Sequence, residues 1–184
     1  MTVKRFLLLL PSLLIPYIAI LTIAIIFFAS DVPSAKAIME NVFQGNALLL
    51  SAAAFILILA AAACTVIAFA MSMAQKWDPL SLAKTVMIIK LLQIPAFVLI
   101  FVVSILFMLT IFTIPFALVL FLVDYRALIS TGLLNISAIV TGARNGDVSF
   151  RKNIWVAILQ FVFCADVVAS VIFYINLKKT KLNH

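Results

Sequence analysis

The sequence predicts an all-α, polytopic transmembrane helical bundle, on the basis of composition, hydropathy and the lengths of its apolar segments. Of the 184 residues, 67% are hydrophobic and 10% are charged, whereas soluble domains are about 45–50% apolar and about 25% charged. The mean hydropathy is +1.33. Five stretches reach the length of about 20 apolar residues that a helix needs to cross the hydrocarbon core. We therefore expect one transmembrane domain, residues 1–184, with five spans.

The predicted spans are long apolar runs separated by short polar connections, at 6–29, 47–73, 91–112, 115–141 and 154–177. The first follows Lys4 and Arg5, but its apolar run is longer than the roughly 7–15 residues of a signal peptide. We expect a retained helix. It contains Pro11 and Pro16, which a membrane helix tolerates when its neighbours satisfy the freed carbonyl groups.

The boundary between the third and fourth spans has two interpretations. In the first, the sequence TIFTIPF (110–116) forms a turn, with Thr113 as a cap and Pro115 in the first turn of the next helix. In the second, the chain continues without a break and forms four spans.

The connections also predict structure. Residues 34–43 (SAKAIMENVF) are expected to form a short helix along the outer surface, capped by Ser34 and ended by Gly45. At WDPLSLAK (77–84), Asp78 is an N-cap and Pro79 opens a surface helix that leads into the third span. ARNGD (143–147) is typical of a turn.

The balance of Lys and Arg predicts a cytoplasmic N-terminus in the cell membrane. In the five-span arrangement, four Lys or Arg lie outside, namely Lys36, Lys178, Lys179 and Lys181. Eight lie inside, namely Lys4, Arg5, Lys76, Lys84, Lys90, Arg144, Arg151 and Lys152. The four-span alternative places eight inside and five outside, so the balance does not choose between the two.

Charged residues inside the predicted spans give the main functional hypothesis. Asp124 and Arg126 lie near the middle of the fourth span, where one charge costs about 2.5–3.5 kcal/mol on insertion scales. Asp166 lies within the fifth span at a depth that differs from that of Arg126 by roughly 3 Å at 1.5 Å rise per residue. We predict an Arg126–Asp166 ion pair.

The fourth helix carries polar groups on two opposite sides. Asp124 shares one side with Thr131 and Asn135, and Arg126 lies roughly 160° away. Such a helix belongs at the centre of the bundle. We take Asp124, Arg126, Asp166, Thr131 and Asn135 as a candidate intramembrane polar site, read either as structural or as a proton- or substrate-binding site.

The second span contains a small residue at every fourth position: Ala60, Cys64, Ala68 and Ser72. This pattern lets helix backbones approach closely. It serves either packing within the bundle or contact with a partner membrane protein or a second copy of the chain.

No motif predicts an enzyme. The one histidine is His184, no His, Cys and Glu cluster could hold a metal, and no nucleophile motif or phosphate-binding loop occurs. We expect no catalytic residue, metal, cofactor or nucleic-acid partner; the lipid bilayer is the main environment.

Four sequences in the second half, namely KLLQIPAF (90–97), TIFTIPF, the pair Asp124–Tyr125 and FCADV (163–167), resemble small multi-pass inner-membrane proteins of Gram-positive-type bacteria with no assigned function. The resemblance implies a bacterial inner-membrane protein. It supplies no mechanism.

These observations favour a small transport component or the accessory subunit of a membrane transporter. The alternative is a non-enzymatic regulatory, immunity or assembly protein that acts through helix–helix contacts along the small-residue stripe.

Overall fold

The computed structural model describes residues 3–75, 77–163 and 165–182, which form α-helices joined by short connections, with no strand among them. In chain order the helices are α1 (Val3–Phe28), α2 (Pro33–Phe43), α3 (Ala47–Ala74), α4 (Pro79–Met108), α5 (Ile114–Arg144), α6 (Phe150–Leu159) and α7 (Ala165–Leu182). A single 3₁₀ turn, Ile111–Thr113, lies between α4 and α5.

Within the described residues, four helical segments are long and apolar enough to cross a membrane, at Leu8–Phe28, Ala47–Ala74, Pro79–Met108 and Ile111–Arg144. They correspond to the first four predicted spans. The turn at residues 110–113 confirms that the third and fourth spans are separate, with Pro115 in the first turn of α5. Thr113 makes no capping bond through its side chain; its hydroxyl donates to Phe107 O (2.6 Å).

The predicted fifth span, 154–177, is not one helix. It divides into α6 and α7, and α6 has only 10 residues, or about 15 Å at 1.5 Å per residue. That is half of the roughly 30 Å hydrocarbon thickness. The two helices form an α6–α7 hairpin instead of a crossing.

Contacts at both ends of the hairpin place its base beside the start of α4. Lys181, near the end of α7, pairs with Asp78. Val148, just before α6, lies so close to Gly142 that a Cβ there would be 3.1 Å from Val148 Cγ2, and 3.5 Å from Pro79 Cβ. The first arm therefore begins, and the second arm ends, at the same face of the bundle.

The N-terminus of the bundle lies at that face too, because Leu9 packs in one core cluster with Trp77, Leu82 and Leu177. The C-terminal lysines are consequently on the N-terminal side. The prediction that placed them opposite the N-terminus is wrong, because the last segment turns back halfway.

Helix α5 is the centre of the bundle, as the two-sided polar pattern predicted. It packs against α1, α3, α4, α6 and α7. A second core cluster surrounds its first half, where Leu120, Val123 and Ala127 meet Ile15 of α1 and Ile100 of α4. At the far end, α2 closes the bundle through contacts among Ile25, Met39 and Leu50.

A carbonyl group of α1 that a proline leaves without its helical hydrogen bond accepts one from α4. Pro16 has no N–H to bond to Ser12 O, and Gln93 Nε2 donates to that oxygen instead (2.8 Å). One turn further along, Tyr17 Oη donates to Leu92 O (2.5 Å). This confirms that a neighbouring helix satisfies a carbonyl freed by proline.

The short connections follow the predicted chemistry in most details. Asp78 is the N-cap of α4 and accepts from Ser81 N (2.9 Å). The surface helix it opens continues without a break into the third span, as α4. The predicted outer helix exists as α2, but Val32 rather than Ser34 is its N-cap. Gln44 and Gly45 follow it with positive φ of 53° and 70°.

We expect the Asp78 carboxylate to stabilise the hairpin base above about pH 4. Burial raises the pKa of this carboxyl, but hydrogen bonds from Lys181 and Ser81 and the Lys181 charge outweigh burial, so the pKa lies below its usual 3.8. The stabilisation is therefore complete above the unfolded pKa of about 3.9 and disappears as the pH falls through the folded pKa.

The check is thermal unfolding of the wild type and of Asp78→Asn in detergent between pH 7 and pH 3. The wild type should unfold at a higher temperature at pH 7, and the difference should shrink at the acidic end. Asp31→Asn, at an exposed acid with no side-chain partner among the described residues, is the control. A difference that grows on acidification would contradict the expectation.

Candidate functional site

The tip of the α6–α7 hairpin meets a fully buried lysine of α4. Lys90 is 0% exposed, and its Nζ lies 2.9 Å from Asp166 Oδ2 and 2.5 Å from Gln160 Oε1. Gln160 caps the end of α6 and Asp166 lies in the first turn of α7. Lys90 is about 16 Å along α4 from Pro79 at 1.5 Å per residue, which places the ion pair near mid-depth.

The network extends from the ion pair to α5. Ser170 Oγ donates to Asp166 O (2.7 Å) and lies 3.1 Å from Gln160 Oε1. Asn135 Nδ2 donates to Ser170 Oγ (2.9 Å). Lys90, Gln160, Asp166, Ser170 and Asn135 form what we call the hairpin-tip cluster, and all are at most 3% exposed.

A glycine of α5 makes room for the hairpin tip. A Cβ on Gly132 would lie 3.4 Å from both Cβ and the carbonyl oxygen of Gln160 and 3.6 Å from the Phe161 ring. The backbone of the tip therefore packs directly on α5 at Gln160, whereas the side chains of Phe161, Val162 and Phe163 in the turn are exposed. Non-helical backbone at membrane depth is tolerated where protein or a water-filled cavity surrounds it.

The electrostatics of the two short helices match the charges they meet. A helix carries partial positive charge at its N-terminus and partial negative charge at its C-terminus. The carboxylate of Asp166 lies at the N-terminus of α7, and the ammonium of Lys90 lies against the C-cap of α6. Each helix end thus carries a partial charge opposite in sign to the group that it meets.

Several buried polar atoms of this region have no hydrogen-bond partner among the described residues. Within the hairpin-tip cluster these are Gln160 Nε2, a donor, and Asn135 Oδ1, an acceptor. Gln93 Oε1, three residues after Lys90 on α4, is a further unpaired acceptor. Buried polar groups in proteins are normally paired with protein or with water, so these three atoms are exceptions in a region where most polar atoms are paired.

The predicted Arg126–Asp166 ion pair is wrong, because Lys90 pairs with Asp166. The prediction fails because of the direction in which the Arg126 side chain leaves α5, and not because of its depth along the helix. Asn135 contacts Ser170 of α7, and it lies about 180° around α5 from Arg126 at 100° per residue. Arg126 therefore points away from α7.

The other residues of the predicted polar site are distributed over α5. Asp124 is 6% exposed, and neither its Oδ1 nor Arg126 Nη1 has a hydrogen-bond partner among the residues that the structure describes. The hydroxyl of Thr131 bonds within α5, to Ala127 O and Leu128 O (both 3.2 Å). Of the five predicted residues, only Asp166 and Asn135 join the hairpin-tip cluster.

Sequence analysis does not identify three members of the hairpin-tip cluster, namely Lys90, Gln160 and Ser170. Lys90 was placed at the membrane edge because the third span was predicted to start at residue 91. The signal that could have found it is the cap at Asp78 and Pro79: a helix that starts there and continues into the apolar run puts Lys90 three turns inside. Gln160 interrupts the apolar run of the fifth predicted span, and that polar break marks the hairpin.

The small-residue stripe of α3 divides between two environments. Ala68 and Ser72 are 0% exposed inside the bundle, whereas Ala60 is exposed and Cys64 is half-buried. The buried face runs instead through Ala54, Ala61, Thr65, Ala68 and Ser72. The stripe is therefore not one continuous contact surface, because its strict four-residue period drifts around a helix of 3.6 residues per turn.

No group of three or more His, Cys, Asp or Glu residues that could hold a metal ion occurs within residues 3–75, 77–163 and 165–182.

Comparison with known families assigns the chain without giving it an activity. Residues 2–181 match the model of a family of unknown function (DUF6652), and the chain belongs to this family. No curated protein and no solved structure matches the chain.

We expect a large loss of folding stability when only one partner of the ion pair is replaced, and a smaller loss when both are replaced. Asp166→Asn or Lys90→Met alone leaves an uncompensated buried charge or an unfilled polar contact, which costs about 3–5 kcal/mol for a buried pair. The double variant Lys90→Met with Asp166→Leu removes both charges and should recover most of that loss.

Denaturant unfolding in detergent, followed by helical circular dichroism, measures this coupling. The same cycle at the partly exposed Asp78–Lys181 pair is the control, where we expect roughly 0–1 kcal/mol of coupling. Additive losses at Lys90 and Asp166 would contradict a mutually dependent pair.

Proposed function

We propose that this protein is a small transport component, either a permease or the accessory subunit of a membrane transporter, whose working element is the α6–α7 hairpin. The observation that carries the proposal is the Lys90–Asp166 pair at the hairpin tip. Ionisable residues at membrane depth are rare and typical of ion and substrate paths. Helices that end inside the membrane, with their termini directed at charged groups, are typical of transport sites.

The unpaired polar atoms beside the pair support this proposal. Gln160 Nε2 offers a donor and Asn135 Oδ1 an acceptor in the buried interior of the bundle. Since Asp166 and Lys90 both bind or release protons, the proton is the simplest ion for this site to carry or to couple.

The hairpin also supports a proposed orientation in the membrane. The C-terminal lysines lie on the N-terminal side of the bundle. Apart from Lys90 and Arg126 at mid-depth, the sequence has eleven Lys and Arg. By sequence position, one of these eleven, Lys36, lies at the α2 end of the bundle. The other ten are Lys4, Arg5, Lys76, Lys84, Arg144, Arg151, Lys152, Lys178, Lys179 and Lys181. Because cytoplasmic segments carry the excess of Lys and Arg, both termini are proposed to be cytoplasmic, in a bacterial inner membrane.

The sequence-based alternative, a regulator that binds a partner through the small-residue stripe, is less well supported. Ala68 and Ser72 are enclosed by the bundle, so half of that surface cannot meet another protein. A bulky residue at position 68 would disturb the fold itself and would not report on a partner.

Proton flux into proteoliposomes tests the transport proposal. Vesicles that contain a pH-sensitive dye receive a potassium diffusion potential, and wild-type protein should acidify them faster than protein-free vesicles do. The double variant Lys90→Met with Asp166→Leu, which keeps charge balance, should lower the rate to the protein-free level.

The matched control is Lys181→Met, which removes a lysine from an ion pair at the hairpin base and should keep most of the flux. Equal flux in the wild type and the double variant would contradict the proposed role of the hairpin-tip cluster. Wild-type flux no faster than that of empty vesicles would contradict autonomous proton transport.

Thiol labelling in intact cells tests the orientation. On a background without Cys64 and Cys164, Ser34→Cys in the first turn of α2 should react with a membrane-impermeant maleimide added outside. Lys179→Cys near the end of α7 should react only after the membrane is permeabilised. External labelling at position 179 would contradict the proposed cytoplasmic C-terminus.

A further inference from the structure

The outer side of α5 carries polar residues at mid-depth, and the bundle does not satisfy them. Arg126 is half-buried at the edge of this side, and its Nη1, which the bundle encloses, has no hydrogen-bond partner within the described part of the chain. The preceding residue, Tyr125, is 42% exposed, and its ring stacks on Phe121 with a centroid separation of 6.3 Å. Leu122, 64% exposed, lies on the same outer side. We call Phe121, Leu122, Tyr125 and Arg126 the α5 outer patch.

Such an arrangement is unfavourable in lipid. An arginine at the bilayer centre costs about 2.5–3.5 kcal/mol on insertion scales unless it finds a partner or reaches the interface. Arg126 is about 18 Å along α5 from Ile114 and about 27 Å from Arg144 at 1.5 Å per residue. In a hydrocarbon core of roughly 30 Å centred on α5, the Arg126 Cα lies about 10 Å from the nearer interface, which is further than an arginine side chain extends.

The chain itself supplies no carboxylate for Arg126. Asp166 pairs with Lys90, and Asp124 lies roughly 160° away around α5. The remaining acidic residues lie at the two ends of the bundle, at Asp31, Glu40, Asp78 and Asp147.

A second copy of the chain does not offer an exposed carboxylate to Arg126 at mid-depth either. Its two mid-depth carboxylates, Asp124 and Asp166, are 6% and 3% exposed, so neither is presented on an outer surface. Charge complementarity therefore selects a different protein as the partner.

We infer that the α5 outer patch binds a transmembrane helix of another membrane protein, and that this helix carries an Asp or Glu at mid-depth. The partner's carboxylate pairs with the Nε and Nη2 edge of the Arg126 guanidinium, because Nη1 is enclosed, and this edge suits bidentate carboxylate binding. The hydroxyl of Tyr125 is a second donor, and Phe121 and Leu122 give apolar contact. The inference does not depend on the proposed transport activity, since it uses none of the hairpin-tip residues.

Designed single-span peptides test the inference without knowledge of the natural partner. The full-length protein carries a fluorescent donor, and a Leu/Ala peptide with Glu at its centre carries the acceptor, in liposomes of neutral lipid. Two further peptides carry Gln or Leu at that position. We expect the Glu peptide to associate about tenfold more tightly than the Leu peptide, at the upper end of measured interhelical polar contacts.

Variants locate the binding surface. Arg126→Leu should reduce the preference for Glu to about onefold, whereas Arg126→Lys should keep part of it. Arg144→Leu, at the exposed end of the same helix, is the matched control and should leave the preference unchanged. Circular dichroism and size-exclusion chromatography establish that each variant is folded, and Arg126→Leu should fold because it removes an unpaired charge.

Three results would overturn the inference. The first is wild-type protein that does not distinguish the Glu peptide from the Leu peptide. The second is self-association of labelled wild-type copies that Arg126→Leu abolishes, which would make the patch a surface for a second copy. The third is a Glu preference that anionic lipid removes, which would assign Arg126 to lipid headgroups.

Discussion

The buried ion pair between Lys90 and Asp166 is the constraint on which the second half of the structure depends. An ammonium and a carboxylate withdrawn from water are stable only when they meet each other and further hydrogen-bonding groups. The pair therefore requires α7 to return along α4, and Gln160 to end α6 at the depth of Lys90. Gly132 provides the space on α5 that this return needs. A single crossing helix over residues 154–177 could not bring both Gln160 and Asp166 to one lysine.

The hairpin also explains the distribution of charge. Its first arm starts beside Pro79 and its second arm ends there. The basic residues of the α5–α6 connection and of the C-terminus therefore lie on one face. The same turn places the C-terminus of α6 and the N-terminus of α7 inside the bundle, where their partial charges complement Lys90 and Asp166. Topology and electrostatics at the site are thus consequences of one break in one apolar segment.

Two kinds of polar group lie at mid-depth in α5, and they have different environments. Asn135 belongs to the enclosed network with Ser170, while Arg126 lies at the edge of the surface that faces lipid. Their separation by half a turn around the helix divides an internal site from an external one. This division is why α5 is both the centre of the bundle and a candidate contact surface.

The sequence by itself determined the class of the protein, the four long apolar helices, the cap at Asp78 and the central position of α5, because hydropathy, helix period and capping act over neighbouring residues. It also predicted that Asp166 would lie in an intramembrane ion pair. The tertiary structure decided which charges pair. Lys90 and Asp166 are 76 residues apart, and their contact depends on the hairpin and on the direction in which each side chain leaves its helix. Depth along a helix can be counted from a sequence, but the side on which a neighbouring helix packs is set by the whole bundle, and for that reason Arg126 was paired wrongly.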